Sequence, residues 1–255
     1  MSVVMHSQSE VLSIRHGVSW ALLALAAGAV NAGAFIASGR FVSHVTGIVT
    51  NVGLDVGLWA LMAEYGLVLV SFIGGAMASV LLLQGRAYRG KRPLHAVALG
   101  LVAVVLAAAA IAGHFGVFGV SGGQVEETTD FALLCTLAFA MGLMNASVAS
   151  STALAVRTTH ATGPLTDFGV HLATAWLTTG EERKKSLQLA ALRGSKVAAF
   201  GMGAALMVPA MKTLGFLAFA FPAFIVLVAT ARSFAPHALD VPLVVMPAPQ
   251  KKGMH

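Results

Sequence analysis

Charge is what this sequence has least of. Only 10% of its 255 residues are Asp, Glu, Lys or Arg, where a soluble domain carries roughly a quarter, so most of the chain cannot present a water-facing surface. Cysteine is nearly absent as well. Cys135 stands alone, which rules out an intramolecular disulfide and a cysteine-rich metal centre. The short apolar/polar alternation of a membrane β-barrel is missing. So are the enzyme signatures: no Ser-His-Asp order, HExxH metal motif, phosphate loop or Rossmann fingerprint occurs.

What is present is apolar sequence in long runs. The chain is 57% hydrophobic, with a mean hydropathy of +0.83. Residues 17–38, 65–85, 94–113, 131–156 and 213–231 are runs without Asp, Glu, Lys or Arg. Each has about the length a helix needs to cross roughly 30 Å of hydrocarbon at 1.5 Å per residue. A sixth, shorter crossing is expected at 197–211, with Arg193 and Lys196 snorkelling from its end. The first run exceeds a signal-peptide core and further spans follow it, so it is expected to stay in the mature protein.

Part of the sequence occurs twice. HVTGIVTNVG at 44–53 matches HATGPLTDFG at 160–169, an offset of 116. Upstream, Gly28-Ala-Val-Asn31-Ala32 matches Gly142-Leu-Met-Asn145-Ala146 at 114; downstream, Phe72-Ile-Gly-Gly75-Ala76 resembles Phe200-Gly-Met-Gly203-Ala204 at 128. The hydrophilic stretch 179–186 supplies the larger offset. Each half therefore reads as long helix, short polar helix, long helix, long helix.

Charge placement orients the halves. Arg86, Arg89, Lys91 and Arg92 form one basic cluster; Arg183, Lys184, Lys185, Arg193 and Lys196 form another; Glu126, Glu127 and Asp130 share an acidic loop. If the short helices do not cross, six crossings put both basic clusters inside and the acidic loop outside. The basic residues then need no nucleic-acid partner. Three crossings per half make the halves inverted repeats, an architecture frequent in secondary transporters. The expected fold is thus all-α and integral to the membrane: six transmembrane helices plus two short polar helices, re-entrant or interrupted, built as two inverted repeats. Residues 1–16 form a cytoplasmic segment and 17–231 one membrane domain. Within it, 17–113 and 131–231 are the repeats and 114–130 the external loop. Residues 232–255, which hold Pro236, Pro242, Pro247 and Pro249, form an irregular cytoplasmic tail. Both termini are expected on the cytoplasmic side of the cell (inner) membrane.

The short segments, 46–62 and 162–178, carry the candidate chemistry. Thr46, Thr50, Gly53 and Gly57 share one helical face, and Thr162, Thr166, Gly169 and Ala173 repeat it. Close packing against another helix is one reading of that face; a solute path is the other. Gly47 and Gly163 would permit a sharp bend, with Thr46 and Thr162 as N-caps. A second face holds Asn51 and Asp55 in the first copy, Asp167 and His171 in the second. Carboxylates in a membrane segment usually face protein or water, and His44, His160 and His171 could titrate beside them. Asn31 and Asn145 would hydrogen-bond across helices or line a central site. Arg40 and Arg157 follow their helices in loops, where interfacial anchoring is the default. One histidine per copy makes no metal site.

The paired blocks G-x-x-N-A and H-x-T-G-x-x-T-(N/D)-x-G resemble the YoaK-like family of bacterial multi-pass membrane proteins, a family of unknown function. The resemblance covers about residues 17–231. It is most distinctive at Thr46, Gly47, Thr50 and Asn51, with Asp167 in place of asparagine in the second copy. It implies an integral cell-membrane protein and carries over no substrate, cofactor or catalytic residue.

The residues favour a transporter or channel for a small solute or ion, with the bilayer as its main partner and self-association left open. In this reading the two decamers face each other as antiparallel copies: Thr46, Thr50 and Asn51 opposite Thr162, Thr166 and Asp167, with Asn31 and Asn145 alongside. Asp167 is the one formal charge in that set. A non-transporting membrane partner, receptor or sensor is the alternative, and an intramembrane enzyme has less support.

Overall fold

A computed structural model of the chain describes residues 14–89, 94–119, 128–152, 158–159 and 161–233. The described residues are helical, with no strand among them. Eight α-helices follow in order: α1 (Ile14–Ser38), α2 (Val45–Leu54), α3 (Trp59–Tyr88), α4 (His95–His114), α5 (Thr128–Ser151), α6 (Thr162–Leu177), α7 (Gly180–Leu214) and α8 (Ala220–Ser233). A 3-10 turn, Gly215–Phe219, joins the last two.

Five stretches are long and apolar enough to cross a membrane: His16–Ser38, Trp59–Arg86, His95–His114, Phe131–Ser151 and Gly180–Arg232. Helix is the natural state of such sequence, since lipid offers backbone groups no hydrogen-bond partner. Two thirds of the α1 and α5 windows are buried inside the protein (67% each), against 22% for α3. The first helix of each half is therefore central, and α3 presents most of its surface outward.

The fifth stretch differs from its expected form. In place of a polar loop at 179–186 and a short crossing at 197–211, one helix of 35 residues runs from Gly180 to Leu214. That is roughly 52 Å at 1.5 Å per residue. The run at 213–231 is broken at Gly215, whose φ of +55° suits glycine. Aromatic packing accounts for the break. Phe216 fills the notch at Gly113, where an added Cβ would meet its ring at 2.4 Å, and Phe219 fills the notch at Gly33.

Long helices from different halves hold each other. α1 packs chiefly on α7, and α3 on α5. A Cβ on Gly28 would stand 1.9 Å from the Phe200 carbonyl oxygen, and one on Gly203 would stand 1.9 Å from that of Leu25. The second crossing repeats this: Gly142 meets the Phe72 oxygen and Gly75 the Phe139 oxygen, each at 2.0 Å. Only glycine lets two backbones approach so closely. These are the glycines of the repeated blocks, and each block abuts the other half.

The order of contacts gives direction. Along α1, Gly17 lies beside Leu192 and Gly33 beside Met207, so α1 and α7 run parallel. Along α3, Tyr65 shares the Arg40 guanidinium with Phe131 of α5, and Ser79 bonds Ser147 at 2.8 Å, so α3 and α5 are parallel too. One end of the bundle gathers the ends of α1, α4 and α7 and the starts of α3, α5 and α8.

Candidate functional site

The chain after α1 turns back into the bundle. Gly39, with φ +67°, permits the reversal. The backbone N–H groups of Val42 and Ser43 then both donate to Asn31 Oδ1 at 3.1 Å, and Ser43 Oγ donates to it at 3.2 Å. Asn31 sits seven residues before the end of α1, roughly 10 Å down the helix. The second half repeats the device: Thr158 N–H donates to Asn145 Oδ1 at 3.2 Å. The two asparagines thus hold backbone that follows their own helices, at Val42 and Ser43 in the first half and at Thr158 in the second. The loops also touch, Ser43 Oγ donating to the Thr159 carbonyl at 3.3 Å. Ser43 and Thr159 stand 116 positions apart, the offset of the repeat, and sequence reading missed both.

From this shared point the short helices part. α2 packs on α3 and α6 on α7, and α2 makes no contact with α6. Thr46, Thr50 and Asn51 therefore do not face Thr162, Thr166 and Asp167, which corrects the expected joint wall. Thr46, Thr50, Gly53, Thr162, Thr166 and Gly169 are exposed. The Thr50 hydroxyl donates to the Thr46 carbonyl at 2.9 Å, and Thr166 to Thr162 at 3.0 Å. No atom beyond their own helices lies within 4 Å of a Cβ at Gly53 or Gly169. Thr46 and Thr162 are not N-caps: His44 and Ala161 hold those positions, without side-chain capping bonds.

Behind each short helix lies a cavity. The first, about 400 Å³, is bounded by Arg40, Phe41, His44, Asn51, Tyr65 and Leu134, among others. That is the size of a small-molecule site. The Arg40 guanidinium lies 4.6 Å from the Tyr65 ring centre and 5.2 Å from that of Phe131, a stacked arrangement that suits a cation in a dry place. Its Nη1 is buried without a hydrogen-bond partner. His44 meets Phe41 edge-on at 5.9 Å. Arg40 is thus more than the interfacial anchor expected of it.

The second cavity is small, about 10 Å³, and is walled by Thr158, Ala161, Pro164, Lys196 and Phe200 among others. Lys196 does not snorkel as expected. It is 3% exposed, because α7 begins sixteen residues earlier and carries it into the bundle. Arg193 instead pairs with Asp167, Nε to Oδ2 3.2 Å, so the Asp167 charge is already matched. Asp55 is half-buried at the far end of α2, its N–H bonded to the Asn51 carbonyl at 2.9 Å. His171 is half-buried on α6. His160 and Arg157 lie outside the described residues. Among those described, no group of three or more His, Cys, Asp or Glu could hold a metal.

A family model described as "Protein of unknown function (DUF1275)" matches residues 19–232, which takes in both loops, both cavities and all four glycine contacts. The chain belongs to this family. The resemblance to a membrane family without assigned function is borne out. No curated protein and no solved structure matches the chain. In this DUF1275 protein the repeated sequence positions differ in their cations. At the repeat offset of 128, Lys196 stands where the first half has Val68, and Arg193 where it has Tyr65.

Proposed function

We propose that this DUF1275 protein is a transporter or channel for a small anionic solute, built from two inverted halves of three crossings each. One observation carries the reading: Arg40, whose buried Nη1 has no hydrogen-bond partner, borders a cavity of about 400 Å³ behind the re-entrant helix α2. A guanidinium offers paired donors to carboxylate or phosphate oxygens, and the cavity holds no acidic residue among its walls.

The inverted topology draws on three further supports. Parallel pairing of α1 with α7 and of α3 with α5 is what six crossings in two opposed halves produce. Trp59, at the start of α3, and Trp176, near the end of α6, are 75% and 90% exposed; such residues favour the membrane–water boundary, here at opposite ends of the bundle. Arg86, Arg89, Arg183, Lys184, Lys185 and Arg232 gather at the end opposite Asp55 and Glu64, which fits a cytoplasmic basic face.

The exposed Thr and Gly faces of α2 and α6 favour a second reading, a membrane partner that receives another helix there. Uptake by reconstituted vesicles decides between the two. We expect flux of a labelled small carboxylate or inorganic anion and none of a matched cation, with Arg40→Gln reducing flux at least tenfold. Absence of anion flux, or unchanged flux in Arg40→Gln, overturns the anion-transport reading.

A further inference from the structure

Aromatic rings make up much of the wall of the first cavity. Phe35 and Phe41 stack, with ring centres 4.7 Å apart and planes at 19°, and His44 meets Phe41 edge-on at 5.9 Å. All three border the cavity, together with Tyr65 and Val68 of α3 and Leu134 of α5. The His44 ring rests on Gly47, where an added Cβ would meet its Nδ1 at 2.5 Å, so packing fixes its place. Phe35 and Phe41 are 47% and 42% exposed, which leaves ring surface open to a further partner.

Charge in this wall is confined to one residue. Among the described residues that border the cavity, Arg40 is the only Asp, Glu, Lys or Arg. Neither ion pair among the described residues involves it. The rings of Tyr65 and Phe131 hold its cation without using its N–H donors. One guanidinium matches one negative charge. A dianion such as hydrogen phosphate would leave its second charge unpaired beside apolar walls, which is costly.

Size selects further. About 400 Å³ is room for roughly thirteen waters at ~30 Å³ each, so an inorganic ion or acetate would leave most of the apolar wall wet. A ring attached to the carboxylate displaces that water. It can also join the Phe35–Phe41 stack, offset or edge-on, as aromatic pairs prefer.

We infer that this cavity binds an aromatic monocarboxylate, its carboxylate on Arg40 and its ring against Phe35 and Phe41. This class narrows the anion reading of the cavity, on which it rests. Binding precedes any flux, so the test reads binding.

The purified full chain in detergent is titrated at constant ionic strength with sodium phenylacetate, sodium acetate, sodium phosphate or phenylacetamide, and thermal unfolding is followed. Phenylacetate should raise the unfolding midpoint in a saturable way. Its half-saturation should lie at least tenfold below that of acetate, as expected for burying a ring. Phenylacetamide keeps the shape without the charge and should bind at least tenfold more weakly than phenylacetate. Arg40→Gln should abolish the phenylacetate rise; if that variant does not fold, the wild-type ranking of the compounds decides. Phe41→Leu should weaken phenylacetate roughly three- to tenfold and leave acetate unchanged. Dihexanoyl phosphatidylglycerol, which bears one negative charge on a lipid, should leave the phenylacetate titration unshifted. Displacement of phenylacetate by it would make the cavity a lipid site and overturn the inference. Equal rises with phenylacetate and phenylacetamide, or an unshifted titration in Phe41→Leu, overturn it as well. Acetate or phosphate binding that Arg40→Gln removes, with no response to phenylacetate, rejects the aromatic class and leaves the anion site standing. No rise with any of these anions overturns both.

Discussion

Replacing Gly142 by alanine tests how the two halves hold together. An ideal Cβ there stands 2.0 Å from the Phe72 carbonyl oxygen and 2.8 Å from its carbon. Real Cβ contacts do not fall below 3.0 Å, so α3 and α5 must part by about 1 Å. The obstacle is backbone, which no rotamer change moves aside. A gap of that size forfeits roughly a quarter to a half of each dispersion contact along the seam. Overpacking commonly costs about 1–3 kcal/mol, and a rigid obstacle belongs at the upper end. At roughly 2–4 °C per kcal/mol for a domain of this size, the midpoint should fall by about 6–12 °C. Gly28→Ala should match it, since that Cβ meets the Phe200 oxygen at 1.9 Å. Gly74→Ala is the control: one residue from Gly75, it has nothing within 4 Å and gains up to about 1 kcal/mol in helix propensity. Thermal unfolding of the three purified variants is the assay. A Gly142→Ala protein as stable as Gly74→Ala would refute the close crossing.

The loop anchors should differ in weight. Asn31→Ala strands two backbone donors, the Ser43 hydroxyl keeping the Thr159 carbonyl, whereas Asn145→Ala strands one; unfolding should place the first loss at about 2 kcal/mol and the second near 1 kcal/mol. In vesicle uptake of the anion that wild type carries, Asn51→Asp should impair flux more than Asp167→Asn. The former sets a carboxylate in the Arg40 cavity, while Asp167 is spent on Arg193; the reverse ranking would return the substrate site to α6. In a Cys135→Ala background, cysteines replacing Trp59 and Trp176 should label with an impermeant thiol reagent from opposite sides of the membrane. Labelling from one side rejects the inverted topology.

Much of the fold was legible because lipid leaves sequence few options. The apolar runs locate the long helices, and the repeated blocks around Gly28, Gly142, Gly75 and Gly203 mark the closest backbone contacts in the bundle. Nothing in those blocks says that Gly28 meets Phe200 and not its own half, because a glycine's partner on a distant helix leaves no local trace. The Thr46–Thr50–Gly53 periodicity correctly groups one face, but periodicity does not say which way a face turns, and this one turns outward. Lys196 was misplaced for a similar reason. Distance from a supposed helix end decided it, and that end lies at Gly180. Arg40 reads as an ordinary loop cation until the chain is seen to fold back beneath it.

The exchange of partners between halves also sets the order of assembly. Gly28 is made 172 residues before Phe200, the residue it packs against. At roughly 5–20 residues per second of synthesis, α1 waits some 10–30 s in the membrane before α7 arrives. Neither α1 nor α3 finds its main partner within the first half. Ribosomes stalled after residue 119 should therefore leave that half open to protease and to insertion-factor crosslinking, and only completion of α7 should close it.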